Sequence, residues 1–220
     1  MFICFHMIFD VRMEYFRRKA CLVAGGHMTE TPATMTYASV ISFESVRLDL
    51  ILSDLKFIEV KCGDADNAYI TAPITEKVWS ILGLELRADA GRKAIIIRAL
   101  YILKSDGAAF RSHLWICMRG LVYEPCLDDT DLWYKAEVQP YNRHGYYSQI
   151  ICCVDDILVI NHESLAILKR IESYFKLKPT SIGDTNMYLG AKSKGNETRG
   201  QNLVLIFEPI QICSRGRTKY

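Results

Sequence analysis

Residues 147–160 read YSQIICCVDDILVI, two apolar runs, 150–154 and 157–160, that meet at adjacent acids, Asp155 and Asp156. Apolar runs of strand length parted by a short interruption are the pattern of a tight hairpin. Asp is a common turn residue, so a turn that points to water accounts for the pair without further chemistry. The favoured short hairpin turns use Asn-Gly or Asp-Gly, however, and Asp-Asp is a poor choice for that purpose alone. Charged groups beside a core are expensive unless paired, hydrogen-bonded or bound to metal. Asp64 follows an apolar–polar alternation over 57–62 and is a candidate companion. Three carboxylates converging at strand ends make an all-oxygen site suited to Mg²⁺. A loop position or a helix N-cap is the competing reading of Asp64 and Asp66. Periodicity does not join Asp64 to the hairpin.

Working outward, Ser42 predicts a helix cap over 43–56, where Phe43, Val46, Leu50, Ile51 and Leu55 recur at helical spacing and Glu44 suits the helix dipole. The alternation over 57–62 predicts a half-buried strand. Ile95, Ile96 and Ile97 within 93–100 predict a strand buried on both faces. A helix is expected over 107–119, with Phe110, Leu114, Cys117 and Leu121 on one side and Gly120 closing it. A short strand at 131–136 and a last helix at about 162–176, carried by Leu165, Leu168, Ile171 and Phe175, complete the pattern. Toward the N-terminus, Arg12, Arg17, Arg18 and Lys19 mark a basic strand or hairpin edge over 11–23, followed by loop through 26–37. From residue 57 the order reads strand, helix, strand, hairpin, helix, short strand. That order predicts an α+β fold, an antiparallel sheet with helices packed on one face. Residues 195–220 are polar and basic at both ends, with one apolar patch, Leu203–Phe207, between, and no domain is assigned to them.

With 220 residues, half of them hydrophobic, the chain has core material for one large domain or two small ones. Collagen-like, mucin-like and wholly disordered classes are excluded by composition. A net charge of +2 neither advertises nor excludes a nucleic-acid partner. Eight cysteines include no C-x-x-C pair, which speaks against zinc and for reduced thiols in an intracellular compartment, cytoplasmic or nuclear. Residues 1–9 are apolar but lack a basic leader and a cleavage site, so no secretory signal is expected. No run approaches the ~20 apolar residues of a membrane span.

Motif texture adds a resemblance. Asp64-Ala65-Asp66-Asn67-Ala68-Tyr69 resembles the D-x-x-N-A-[FY] block of copia-type retrotransposon reverse transcriptases, and Cys153-Val154-Asp155-Asp156 resembles their Y-V-D-D box. Residues 100–105, LYILKS, are similar to their L-Y-G-L-K block, and residues 19–26, KACLVAGG, to their K-A-R-L-V-A-x-G segment. Tyr188-Leu189-Gly190 resembles the strand motif that follows the box. The blocks occur in the family's order from about residue 8 to residue 194.

The resemblance implies a right-hand polymerase, fingers mainly 8–56 and 70–105, palm mainly 57–69 and 106–194, acting as an RNA-directed DNA polymerase. By resemblance, Asp64 and Asp155 hold two Mg²⁺ ions, with Mn²⁺ as a substitute, and Asp156 completes the acidic triad. Lys19, with Arg18, matches cations that meet the triphosphate; a solvated basic face is the alternative. Tyr69 matches the aromatic gate under the sugar, and a core aromatic is its alternative. Implied partners are an RNA or DNA template–primer, deoxynucleoside triphosphates and the rest of a polyprotein carrying integrase and ribonuclease H, with no membrane. Cys153 stands at the primer-proximal tyrosine of the box, Cys21 at an arginine, Ile102 at a glycine and Phe110 at a tryptophan. If the backbone at Ile102 needs positive φ, a β-branched residue fits it poorly. The family pattern ends near 195 and no thumb follows, so an impaired or truncated copy is expected. A non-catalytic relic that at most binds nucleic acid, and a chain left unstable by uncovered apolar surface, are the rival expectations.

Overall fold

Ser42 opens the first long helix as its side chain predicts. Its Oγ accepts from the Ser45 N–H at 3.0 Å and satisfies one of the free donors of the first turn. The helix, α1 (Phe43–Leu55), stops where Phe57 takes a positive φ of 55°. The computed structural model describes residues 2–12, 17–25, 41–139, 141, 143–184, 187–188, 191–192 and 208–209. The expected loop at 26–37, Leu189 and Gly190 of the last motif, and residues 195–220 apart from 208–209 lie outside the described residues.

In chain order the first strands are β1 (Phe2–Ile3), β2 (Phe5–Arg12), β3 (Arg17–Ala24) and β4 (Val60–Asp64). Then come α2 (Ala68–Thr71), β5 (Pro73–Ile81), β6 (Lys93–Arg98), α3 (Asp106–Gly120), β7 (Glu124–Pro125) and β8 (Leu132–Val138). They are followed by β9 (Gly145–Cys153), β10 (Asp156–Ile160), α4 (Ser164–Ile171) and β11 (Gly183–Asp184). Short strands β12 (Met187–Tyr188), β13 (Ala191–Lys192) and β14 (Glu208–Pro209) form a small sheet of their own. The fold is mixed α+β with mainly antiparallel pairing. No helix among the described residues is long and apolar enough to cross a membrane.

Two compact units share the chain, each built from two separate stretches: Met1–Ser39 with Asp66–Leu121, and Val40–Ala65 with Val122–Tyr220. In the first unit, β2 and β3 form an antiparallel ribbon that carries the basic residues of 11–19. A second sheet runs β1-β5-β6 over a core of Ile3, Ala24, Val78, Ile96 and Leu103. Helix α3 buries Phe110, Leu114 and Cys117, as its periodicity predicts, with Leu121 just beyond. The segment between Asp64 and Lys93 contains α2, β5 and a short 3₁₀ stretch. β6 departs from expectation. Only Ile96 is buried, while Ile95 and Ile97 are 44% and 68% exposed, because one face of this sheet is uncovered, Trp79 of the central strand opposite Ile95 being exposed there too.

The second unit is a six-stranded sheet in the order β11-β4-β10-β9-β8-β7, antiparallel at every pairing. Its strand near 57–62 begins later than the alternation suggests, since Phe57 is spent ending α1, and Asp64 becomes the last residue of the strand. Val60, Cys62, Ile151, Cys153, Leu158 and Ile160 cluster with Val46 and Leu50 of α1. On the opposite face, a Cβ at Gly63 would come within 3.2 Å of both Leu168 of α4 and Leu177, so glycine permits the close approach. Helices therefore flank both faces, which corrects the expectation of one. The reason lies in the opening stretch, where residues 150–153 and 157–160 are buried without a gap and so need cover on each side. Helix α4 is shorter than expected, and Phe175 is buried beyond its end in non-helical chain.

Candidate active site

Sheet register does what sequence spacing could not. Strands β4 and β10 pair antiparallel with Asp156 directly opposite Asp64, and on its other side Asp156 faces Cys153 of β9. A row Cys153–Asp156–Asp64 thus crosses three strands on one face, and directly opposed residues have Cβ atoms about 5 Å apart. Asp155 lies in the hairpin tip beside Val154, and its carbonyl accepts from the Ala65 N–H at 2.8 Å, which ties the tip to the end of β4. The turn is therefore Val154-Asp155, and Asp156 already belongs to the strand. Val154 has a positive φ of 56°, a position where two-residue hairpins favour glycine. A β-branched residue there is backbone strain held beside the acids.

The segment after α4 clamps Asp64 from the outer edge. Asp64 N–H donates to Ser181 Oγ at 2.8 Å, and the Lys178 N–H donates to the Asp64 carbonyl at 2.8 Å. Ser181 Oγ also donates to the Lys178 carbonyl at 2.8 Å, and Leu177 bridges to Ala65. From this clamp the Lys178 ammonium reaches Asp64 Oδ2 at 2.5 Å. Asp64 Oδ1 is buried and has no hydrogen-bond partner among the described residues. Neither Lys178 nor Ser181 was singled out by the sequence reading. The available signal was the alternation Lys176-Leu177-Lys178 around a fully buried leucine, which sends both lysines to the same side.

Burial pushes the Asp156 carboxyl up to about 6, with Asp155 and Asp64 adding to the rise and Lys178 opposing it. Cys153, 8% exposed in the core cluster with α1, has its thiol raised to about 11 by burial, then by Asp156, Asp131 and Asp155. It is a neutral thiol at physiological pH. Among the described residues, no three His, Cys, Asp or Glu side chains stand close enough together to share a metal ion. In kind the donors do suit one. The acids of the row are hard-oxygen ligands on a common face, Asp64 keeps one buried oxygen unmatched, and Asp156 lacks enough compensating positive charge. A divalent cation that prefers oxygen fits this set, and the ammonium on Asp64 Oδ2 is its local competitor.

The other candidates lie in the first unit. Tyr69 of α2 meets Tyr101 edge-on at 5.0 Å and Phe110 at 6.1 Å, so it sits in an aromatic cluster. Asn67 precedes α2 in the left-handed region and makes no side-chain cap, so neither Asp64 nor Asp66 is the cap of that helix. Arg18 is exposed on β3, and Lys19 pairs in register with Asp10. Cys21 is partly exposed opposite Ile8. Ile102 has a φ of 76°, so the backbone at this position does require the conformation that glycine supplies freely. Its N–H donates to Asp106 Oδ2 at 3.0 Å, which helps hold the strained turn. Compared with protein-family models and with curated proteins, the chain matches none.

Proposed function

We propose that the second unit carries the acidic centre of an RNA-directed DNA polymerase of copia type, a nucleotidyltransferase that uses two Mg²⁺ ions. The supporting observation is the register that sets Asp156 opposite Asp64 with Asp155 at the adjoining tip. Asp64 and Asp155 would hold the ions, Mn²⁺ substituting, and Asp156 would complete the set. When bound, the ions activate the primer 3′-hydroxyl and balance charge on the transferring α-phosphate. The chain's own part is to hold its carboxylates in place through three paired strands and the Lys178–Ser181 clamp. Asp156 must also be ionised to take part, and a bound cation would favour that form against the burial that raises its carboxyl. Arg18 and Lys19 would meet the triphosphate, Tyr69 would read the sugar, and the substrates would be a template–primer and deoxynucleoside triphosphates.

Primer extension on an RNA template with Mg²⁺ tests this reading. Extension that Asp155→Asn abolishes supports it; no extension by folded protein at any concentration overturns it. One observation favours a second reading, a non-catalytic relic that binds nucleic acid through the basic β2–β3 ribbon: the Asp64 carboxylate is already engaged by Lys178. Salt-dependent binding that survives Asp64→Asn and Asp155→Asn, with no extension, is its signature.

A further inference from the structure

We propose that Lys178 is a built-in counter-ion that occupies Asp64 in the metal-free protein and must be displaced when a divalent cation enters, so that it sets the affinity of the site. The inference rests on the metal-binding reading of the carboxylates. Its basis is the contrast between a fixed backbone and a free side chain. Lys178 is anchored by its own N–H to the Asp64 carbonyl, by its carbonyl to Ser181 Oγ, and by the neighbouring Leu177–Ala65 bridge. Its ammonium hangs on a flexible four-carbon stem. The two charged side chains are 36% and 26% exposed, open enough for the ammonium to swing into water without moving the clamp.

The pairing is also incomplete. The ammonium takes Oδ2 and leaves Oδ1 buried and unmatched, and Asp156 stands directly opposite Asp64 on the neighbouring strand. Lys178 meets one of three neighbouring carboxylates, Asp64, Asp155 and Asp156, a set that attracts a dication. A dication on Asp64 and an ammonium on the same carboxylate repel at a few ångströms, so the two compete for it.

Mn²⁺ binding to the full chain, followed through the free-ion paramagnetic resonance signal, tests the proposal. Lys178→Met is expected to bind Mn²⁺ about tenfold more tightly, which is about 1.4 kcal/mol. Lys178→Arg, which keeps the charge, should bind no more tightly than the parent, and Asp64→Asn should lose the binding. Loss in Asp64→Asn with Lys178→Met equal to the parent overturns the counter-ion and leaves the metal reading standing. Equal binding by parent and Asp64→Asn overturns the metal reading itself. A measurement on the parent covers failure of Lys178→Met to fold. With ¹⁵N-labelled lysine, the Lys178 ammonium resonance should move on adding Mg²⁺ to the position it has in metal-free Asp64→Asn. An unmoved resonance at saturating Mg²⁺ overturns the proposal.

Discussion

Two carboxylates of the six-stranded sheet, Glu137 of β8 and Asp156 of β10, are treated in opposite ways. At the end where β10 finishes, Asn161 Nδ2 donates to Ser148 Oγ at 2.7 Å and to Glu137 Oε2 at 2.8 Å. Tyr146 donates to the same carboxylate at 2.9 Å, Lys135 pairs with its other oxygen at 2.9 Å, and Tyr123 shares a 2.6 Å hydrogen bond with Ser148. Burial alone would raise the Glu137 carboxyl, but hydrogen bonds from Lys135, Asn161 and Tyr146 outweigh it and hold the group below its usual range. At the end where β10 begins, burial wins, Asp156 rises to about 6 and Asp64 keeps an unmatched oxygen. Matched polar groups rigidify a fold; unmatched ones store a demand for positive charge. That difference separates Glu137 from the acids of the candidate site, although Asp49, held by Gln149 opposite the end of β10, is likewise raised to about 6 and keeps one oxygen unmatched.

The largest expected contrast is catalytic. Asp155→Asn should lower Mg²⁺-dependent primer extension by at least about a thousandfold with little change in melting, since it removes a ligand and no core contact. Extension at parental rates would break the comparison. At the opposite end, Asn161→Ala should cost about 2–3 kcal/mol in chemical denaturation, because Ser148 and Glu137 lose buried partners. Mn²⁺ affinity should stay the same, and a parallel loss would mean that the two ends are not independent.

Stability against pH should carry opposite signs at Asp156 and Glu137. Asp156 has a folded value of about 6, above its ordinary 3.8, so its contribution is full below about pH 4 and is lost as pH rises through 6. Glu137 lies below its ordinary range when folded, so its contribution is present above that range and lost on acidification. In metal-free denaturation, Asp156→Asn should therefore stabilise the protein at pH 7 by about 1 kcal/mol, allowing for solvent screening. It should also flatten the decline between pH 4 and 6. Asp49, raised to about 6 by burial despite its bond from Gln149, slopes the same way, so the difference between parent and variant is the quantity to read. A steeper decline in Asp156→Asn would reverse the assignment. The smallest effect concerns the tip: Val154→Gly should stabilise by up to about 1 kcal/mol by relieving the positive φ, measured by thermal melting.

Much of this was legible along the chain. The hairpin, the Ser42 cap and the buried side of α3 follow from local patterns of two to four residues, where periodicity and capping chemistry act. The cover on both faces of β9 and β10 was legible in principle, since unbroken apolar runs ask for it, but the expectation of one helical face passed over that. β6 departs because three isoleucines look the same whether a sheet is covered on one face or on both, and only the packing on each face decides between them. Lys178 was invisible because its partner is remote in sequence, and a lysine after a helix ordinarily faces water.

By itself, then, the sequence determined that two apolar strands meet at adjacent acids, and that Asp64 follows a strand which could pair with them. Only the tertiary structure decided that Asp64 stands opposite Asp156, that Asp155 is the tip residue, and that an ammonium holds one oxygen of Asp64. The physical reason is that register between distant strands, and the charge balance it creates, are set by the packing of α1 and α4 on the two faces of the sheet. No local pattern records those contacts.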